Sequence, residues 1–136
     1  MPAVRRTYQT LLNEIAVLYT ATRGAVVRMY WEIGKRIVEV EQGGDARAAY
    51  GRRLLPRLSA DLTTRFGEGF STRNLDRMRV FYQQNPILPS MAKLDWTHQI
   101  ELMRLPDAQL RERLAEHAQR RELTSKELRA LVERER

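Results

Sequence analysis

Cysteine is absent from the 136 residues, so no disulfide can staple the fold and no thiolate can hold a metal. Histidine occurs twice, at His98 and His117, without the HExxH or HxxxH spacing of a metal site. The three lysines, Lys35, Lys93 and Lys126, do not join the clustered carboxylates that a metal-dependent nuclease needs. No run of about 18 apolar residues occurs, which argues against a membrane-spanning helix and a membrane partner. Met1-Pro2-Ala3-Val4-Arg5-Arg6 leads into an amphipathic stretch, not the apolar core of a signal peptide. No segment alternates with a two-residue period, so little or no sheet is expected. Gly67-Glu68-Gly69 lacks the third glycine and the preceding strand of a phosphate loop. Together these absences predict a cytoplasmic, all-α chain that is not an enzyme by itself, with no cofactor and no metal.

What is present is apolar residue enough for a core and a large excess of arginine. Hydrophobic residues make up 43% of the chain, too many for disorder. Its length fits one domain or two very small ones, and a single helical domain, 1–136, is expected, in three segments: 1–44, 45–86 and 94–136. Of the 24 basic residues, 21 are arginine, and the net charge is +7. Guanidinium forks onto phosphate and guanine edges better than ammonium does. A GC-rich genome also favours arginine codons, so position says more than the ratio. Residues 46–82 hold eight basic side chains (Arg47, Arg52, Arg53, Arg57, Arg65, Arg73, Arg77, Arg79) and three acidic ones (Asp61, Glu68, Asp76), net +5. Residues 1–45 and 83–136 are each net +1. A concentrated positive field attracts polyanions and binds them through counterion release.

In the first segment Tyr8, Leu12, Ile15, Tyr19, Thr22, Val26, Met29, Ile33, Ile37 and Val40 recur at helical spacing close to a heptad. A helix from 5 to 41 would be roughly 55 Å long at 1.5 Å per residue. Two outcomes are open: a long helix that pairs with a second copy through Leu12, Ile15, Tyr19, Val26 and Ile33, or a hairpin broken near Gly24. Gly43-Gly44 is expected to stop the helix with an αL cap.

Asp45 can cap the next segment, where Pro56 suggests two helices, about 46–53 and 55–65, with Tyr50, Leu54, Leu55, Leu58 and Leu62 on one side. Phe66-Gly67-Glu68-Gly69-Phe70 reads as a tight turn, and Ser71 as the N-cap of a helix to about Gln84. Leu75, Met78 and Tyr82 form its expected buried face, leaving Thr72, Arg73, Asp76, Arg77 and Arg79 outward. Short polar and arginine side chains near the start of such a helix are what a DNA-reading helix–turn–helix requires. The plain alternative is an ordinary solvated face. Asn85-Pro86 closes the segment. Asp95 then caps a short helix, Pro106-Asp107 restarts the chain to about 119, and Thr124-Ser125-Lys126-Glu127 is a capping box for a last helix. His98 is expected near its cap. Leu94 through Leu131 is similar to the helix–turn–helix region of ParB-type partition proteins, although its charges nearly cancel.

Several strings match one family in order. They are Tyr30-Trp31-Glu32-Ile33-Gly34-Lys35-Arg36-Ile37, Tyr50-Gly51, Leu58-Ser59-Ala60-Asp61-Leu62 and Phe66-Gly67-Glu68-Gly69-Phe70-Ser71. Thr72-Arg73-Asn74-Leu75-Asp76-Arg77-Met78-Arg79, Phe81-Tyr82 and Leu94-Asp95-Trp96-Thr97-His98 continue the match. Together they resemble the N-terminal domain of YhcG-like bacterial proteins. The resemblance implies a domain that precedes a PD-(D/E)XK-type nuclease domain and serves as its helix–turn–helix DNA-binding part. The 136 residues end at Glu133-Arg134-Glu135-Arg136, before any nuclease core, so an excised domain or a stand-alone copy is expected, with its nuclease in cis or in trans. The functional expectation is DNA binding through Arg73, Arg77, Arg79 and Thr72, with Arg52, Arg53 and Arg57 on backbone phosphates. The alternative is a protein-interaction module that self-associates and binds an acidic partner.

Overall fold

The computed structural model describes residues 7–21, 26–43, 53–87 and 94–136, and all regular structure among them is helical, as expected. Seven helices are described: α1 (Tyr8–Ala21), α2 (Val26–Gln42), α3 (Leu54–Phe66), α4 (Thr72–Gln84), α5 (Trp96–Met103), α6 (Ala108–Arg120) and α7 (Ser125–Glu135). The chain divides into two compact units, 1–83 and 84–136.

Within the first unit, one ion pair decides between the long helix and the hairpin. Arg36 Nε lies 3.1 Å from a Glu14 carboxylate oxygen, aligned for charge attraction but not for a hydrogen bond. Residues 22 positions apart on one helix would be about 33 Å apart, so α1 and α2 fold back on one another. Arg36 also reaches Glu32 at 2.6 Å. Of the two arrangements open from the sequence, the chain takes the hairpin. Leu12, Ile15 and Ile33 are 7%, 0% and 0% exposed, so the stripe assigned to a second copy is already buried inside the chain. Val26 is 41% exposed, and the Tyr19 side chain lies outside the described residues. The α2 helix ends at Gln42, with the Gly43 amide donating to the Glu39 and Val40 carbonyls. The αL cap expected of Gly43-Gly44 is not taken by Gly43, and Gly44 lies outside the described residues, as do Asp45 and all but the last residue of the expected helix 46–53.

Leu54, Leu58 and Leu62, at four-residue spacing, form the buried face of α3. Pro56 stands in its first turn, where its missing N–H leaves no helical bond unmade. Gly67 ends the helix at φ 86°, its amide donating to the Thr63 carbonyl at 2.8 Å, and Gly69 follows at φ 108°. Both angles belong to glycine. As read from sequence, Ser71 caps α4: its Oγ accepts from the Asn74 amide at 3.0 Å. The buried residues of α4 are Leu75, Met78 and Phe81; Tyr82, expected among them, is only half-buried and packs edge-on against Trp31 at 5.3 Å. The α2–α4 crossing is backbone on backbone. A Cβ at Gly34 would stand 2.0 Å from the Met78 carbonyl oxygen and 2.7 Å from its carbon.

In the second unit α5, α6 and α7 enclose a core of Leu94, Leu102, Leu105, Ala115, Ala118, Leu128 and Val132. Each helix start is capped, at Asp95 and Thr124 as the sequence indicated. Asp95 and His98 form a reciprocal capping box on α5, Asp107 accepts from the Gln109 and Leu110 amides, and Thr124 and Glu127 form the box on α7. The Thr97 hydroxyl, 2.6 Å from Asp95, holds that carboxyl below its usual range. His98 Nε2 lies 2.7 Å from the Leu123 carbonyl, which can only accept, so Nε2 carries a proton. The α6–α7 turn is a Schellman motif. Leu123 N donates to Ala118 O at 2.9 Å and Glu122 N to Gln119 O, with Glu122 at φ 51°. A residue with a Cβ is strained there, whereas glycine is not. Glu122→Gly should therefore raise stability by roughly 0.5–1 kcal/mol, read as a higher urea midpoint at unchanged slope. An unchanged or lower midpoint would mean that the strain is offset by something the glutamate contributes.

Candidate nucleic-acid interface

Of the eight arginines in 46–82, Arg47 and Arg52 lie outside the described residues. Arg53, Arg57 and Arg65 are exposed on α3 or at its start. Thr72 and Arg73 are exposed in the first turn of α4, and Arg77, four residues on from Arg73, is half-buried on the same side of the helix. The first turn of α4 is fixed by two bonds from Asn74: its amide to Ser71 Oγ at 3.0 Å and its side chain to the Gly69 carbonyl at 2.6 Å. A helix start held this way presents backbone N–H groups and the positive end of the peptide dipoles beside Thr72 and Arg73. That combination suits an anionic ligand.

Arg79 departs from the sequence expectation. Its guanidinium is turned back to Glu41 on α2, at 2.7 Å, and to Asp76 one turn earlier on α4. Burial works against its charge, but the hydrogen bond to Glu41 and the two nearby carboxylates outweigh it and raise its pKa further. Arg79 therefore straps α4 to α2 instead of facing outward with Arg73. The reason is position: it flanks the buried face, beside the α2 crossing, where two carboxylates compete successfully for it.

Arg57 is fixed by a contact that sequence reasoning missed. Its guanidinium lies over the Tyr8 ring, 3.7 Å from the ring centre, and the Tyr8 hydroxyl donates to Asp61. Tyr8 and Asp61 are 53 positions apart, and no local pattern links them. Arg65, 5.6 Å from the Phe66 ring, was counted in the charge of the segment but not singled out.

Among the described residues, no three His, Asp or Glu side chains are grouped to hold a metal ion. His98 belongs to the α5 cap, and His117 is exposed on α6. The one buried carboxylate of the second unit, Glu101, is matched by Arg104 at 2.9 Å and Arg129 at 3.1 Å, with Arg104 reaching on to Glu133 at 3.2 Å. No described helix is long and apolar enough to cross a membrane.

The sequence matches the DUF1016 N-terminal domain over residues 9–136. The chain belongs to that family. It is also 49% identical, over 83 residues, to a protein of Escherichia coli (strain K12) named Putative nuclease YhcG. The matched stretch covers 55% of this chain but 22% of that protein, so this DUF1016 N-terminal domain spans well under half the length of its relative. No solved structure matches it. The resemblance carried by the motif strings from Tyr30 to His98 is thus shown, and those motifs fall in both units of the DUF1016 domain.

Proposed function

We propose that this chain is a non-catalytic DNA-binding module that delivers an associated nuclease domain, in cis or in trans, to its substrate. In this reading α3, the Gly67–Gly69 turn and α4 act as a helix–turn–helix. Thr72 and Arg73 approach base edges from the start of α4, Arg77 lies beside them, and Arg53 and Arg57 contact phosphates. The observation that carries the reading is the exposed, capped start of α4 with its arginines, inside the segment that holds five of the seven excess charges. The name of the Escherichia coli relative supplies the nuclease.

The test is a salt-titrated binding assay against duplex DNA, single-stranded DNA and RNA. Duplex DNA should bind at ~100 mM salt with a Kd of about 10⁻⁴ to 10⁻⁶ M or tighter, and affinity should fall steeply as salt rises. Preference for RNA would redirect the proposal. No measurable affinity for any of the three would overturn it and leave an acidic protein partner as the better reading of the basic segment.

A further inference from the structure

One side of α3, flanking its buried face, shows a feature that charge counting does not. Arg57, Asp61 and Arg65 follow one another at four-residue steps, the spacing at which helix-surface ion pairs form. Asp61 is the one carboxylate on α3, and an aspartate between two arginines would ordinarily cancel part of their attraction for phosphate. Here Asp61 has a partner off the helix: the hydroxyl of Tyr8, a residue 3% exposed on α1. The ring of the same tyrosine carries the Arg57 guanidinium. One buried side chain thus engages the acid and orders the neighbouring base.

We infer that Arg53, Arg57 and Arg65 form a strip that tracks one phosphodiester backbone of duplex DNA, and that Tyr8 is its positioning residue. The inference rests on the DNA-binding reading above and adds two residues to it, Arg65 and Tyr8. The mechanism is competitive. With the hydroxyl present, Asp61 accepts its hydrogen bond from α1. With it removed, the half-buried carboxylate turns to solvent, where Arg57 and Arg65 stand one helical turn away on either side, at i−4 and i+4. A phosphate must then displace Asp61 to reach one of them.

The experiment compares wild type, Tyr8→Phe, Asp61→Asn and the double variant for binding to duplex DNA across a salt series, with urea midpoints measured in parallel. Tyr8→Phe keeps the ring under Arg57 and removes only the hydroxyl. It should weaken binding several-fold at ~100 mM salt and lower the log–log salt slope by about 0.9, one duplex phosphate contact. Tyr8→Phe with Asp61→Asn should recover wild-type affinity and slope, although both variants lack the same native hydrogen bond and should have similarly lowered midpoints. A purely structural tyrosine would give matched losses of stability and affinity in both. Tyr8→Phe with unchanged affinity, or a double variant that stays weak, overturns the inference while leaving DNA binding standing. A wild type that binds no duplex takes both down together, and that outcome is read from the wild-type curve alone.

Discussion

Gly34→Ala should destabilise the protein by about 3 kcal/mol or more, at the upper end of what overpacking costs. The added methyl would sit 2.0 Å from the Met78 carbonyl oxygen and 3.2 Å from Tyr82 Cβ. The first of these is backbone, which cannot change rotamer to make room. The better helix propensity of alanine returns only about 1 kcal/mol. To admit the methyl, α4 has to lift from α2, which would also part the Arg79–Glu41 pair and the Trp31–Tyr82 contact. The measurements are a urea midpoint and amide hydrogen exchange, which should show protection lost across α2 and α4. A variant within about 0.5 kcal/mol of wild type, the range of an ordinary surface change, would mean that the crossing yields easily and does not hold α4.

Replacing Arg53, Arg73 and Arg77 together by alanine should abolish most DNA binding without unfolding the chain. None of the three belongs to the buried face of α3 or α4, which is made by Leu54, Leu58, Leu62, Leu75, Met78 and Phe81. If Arg53 and Arg77 each contact one phosphate, the salt slope should fall by about 1.8, and with the base-edge contact of Arg73 also lost, affinity at ~100 mM salt should fall by roughly two orders of magnitude. Arg79 is left intact because removing it would strand Glu41 and Asp76 and confuse stability with binding. The control, Arg113, Arg120 and Arg134 to alanine, removes equal charge from exposed positions on α6 and α7. Equal losses in the two triples would show that net charge alone governs binding, and the interface assignment would fail.

Local signals were legible in the sequence because they rest on residues a few positions apart. Ser71, Asp95 and Thr124 cap helices through bonds to amides three residues on, and Pro56 falls in a first turn. The apolar stripe from Tyr8 to Val40 marked helix correctly but could not say where its face would be buried. A fold-back and a dimer bury the same stripe, and the fold-back shows in tertiary contacts such as the Arg36–Glu14 pair. The same limit explains Arg79 and Tyr82. Helix periodicity places both at the margin of a buried face, and what becomes of a marginal residue depends on the neighbouring helix. Arg79 met Glu41 there; Tyr82 met Trp31 and left the core position to Phe81. Tyr8 read as one more apolar-stripe residue, and its part in ordering Arg57 needed the tertiary contact.

The α2–α4 crossing also bears on the entropy of association. A helix seated backbone to backbone on its neighbour, capped by Ser71 and strapped by Arg79, has already lost its freedom to slide or rock when the chain folds. A ligand that docks on its first turn has little left to immobilise beyond a few long side chains, at about 0.5–1.5 kcal/mol for each. Such a mount favours docking as a rigid body, with the affinity set by the charges the helix displays and not by the cost of ordering it.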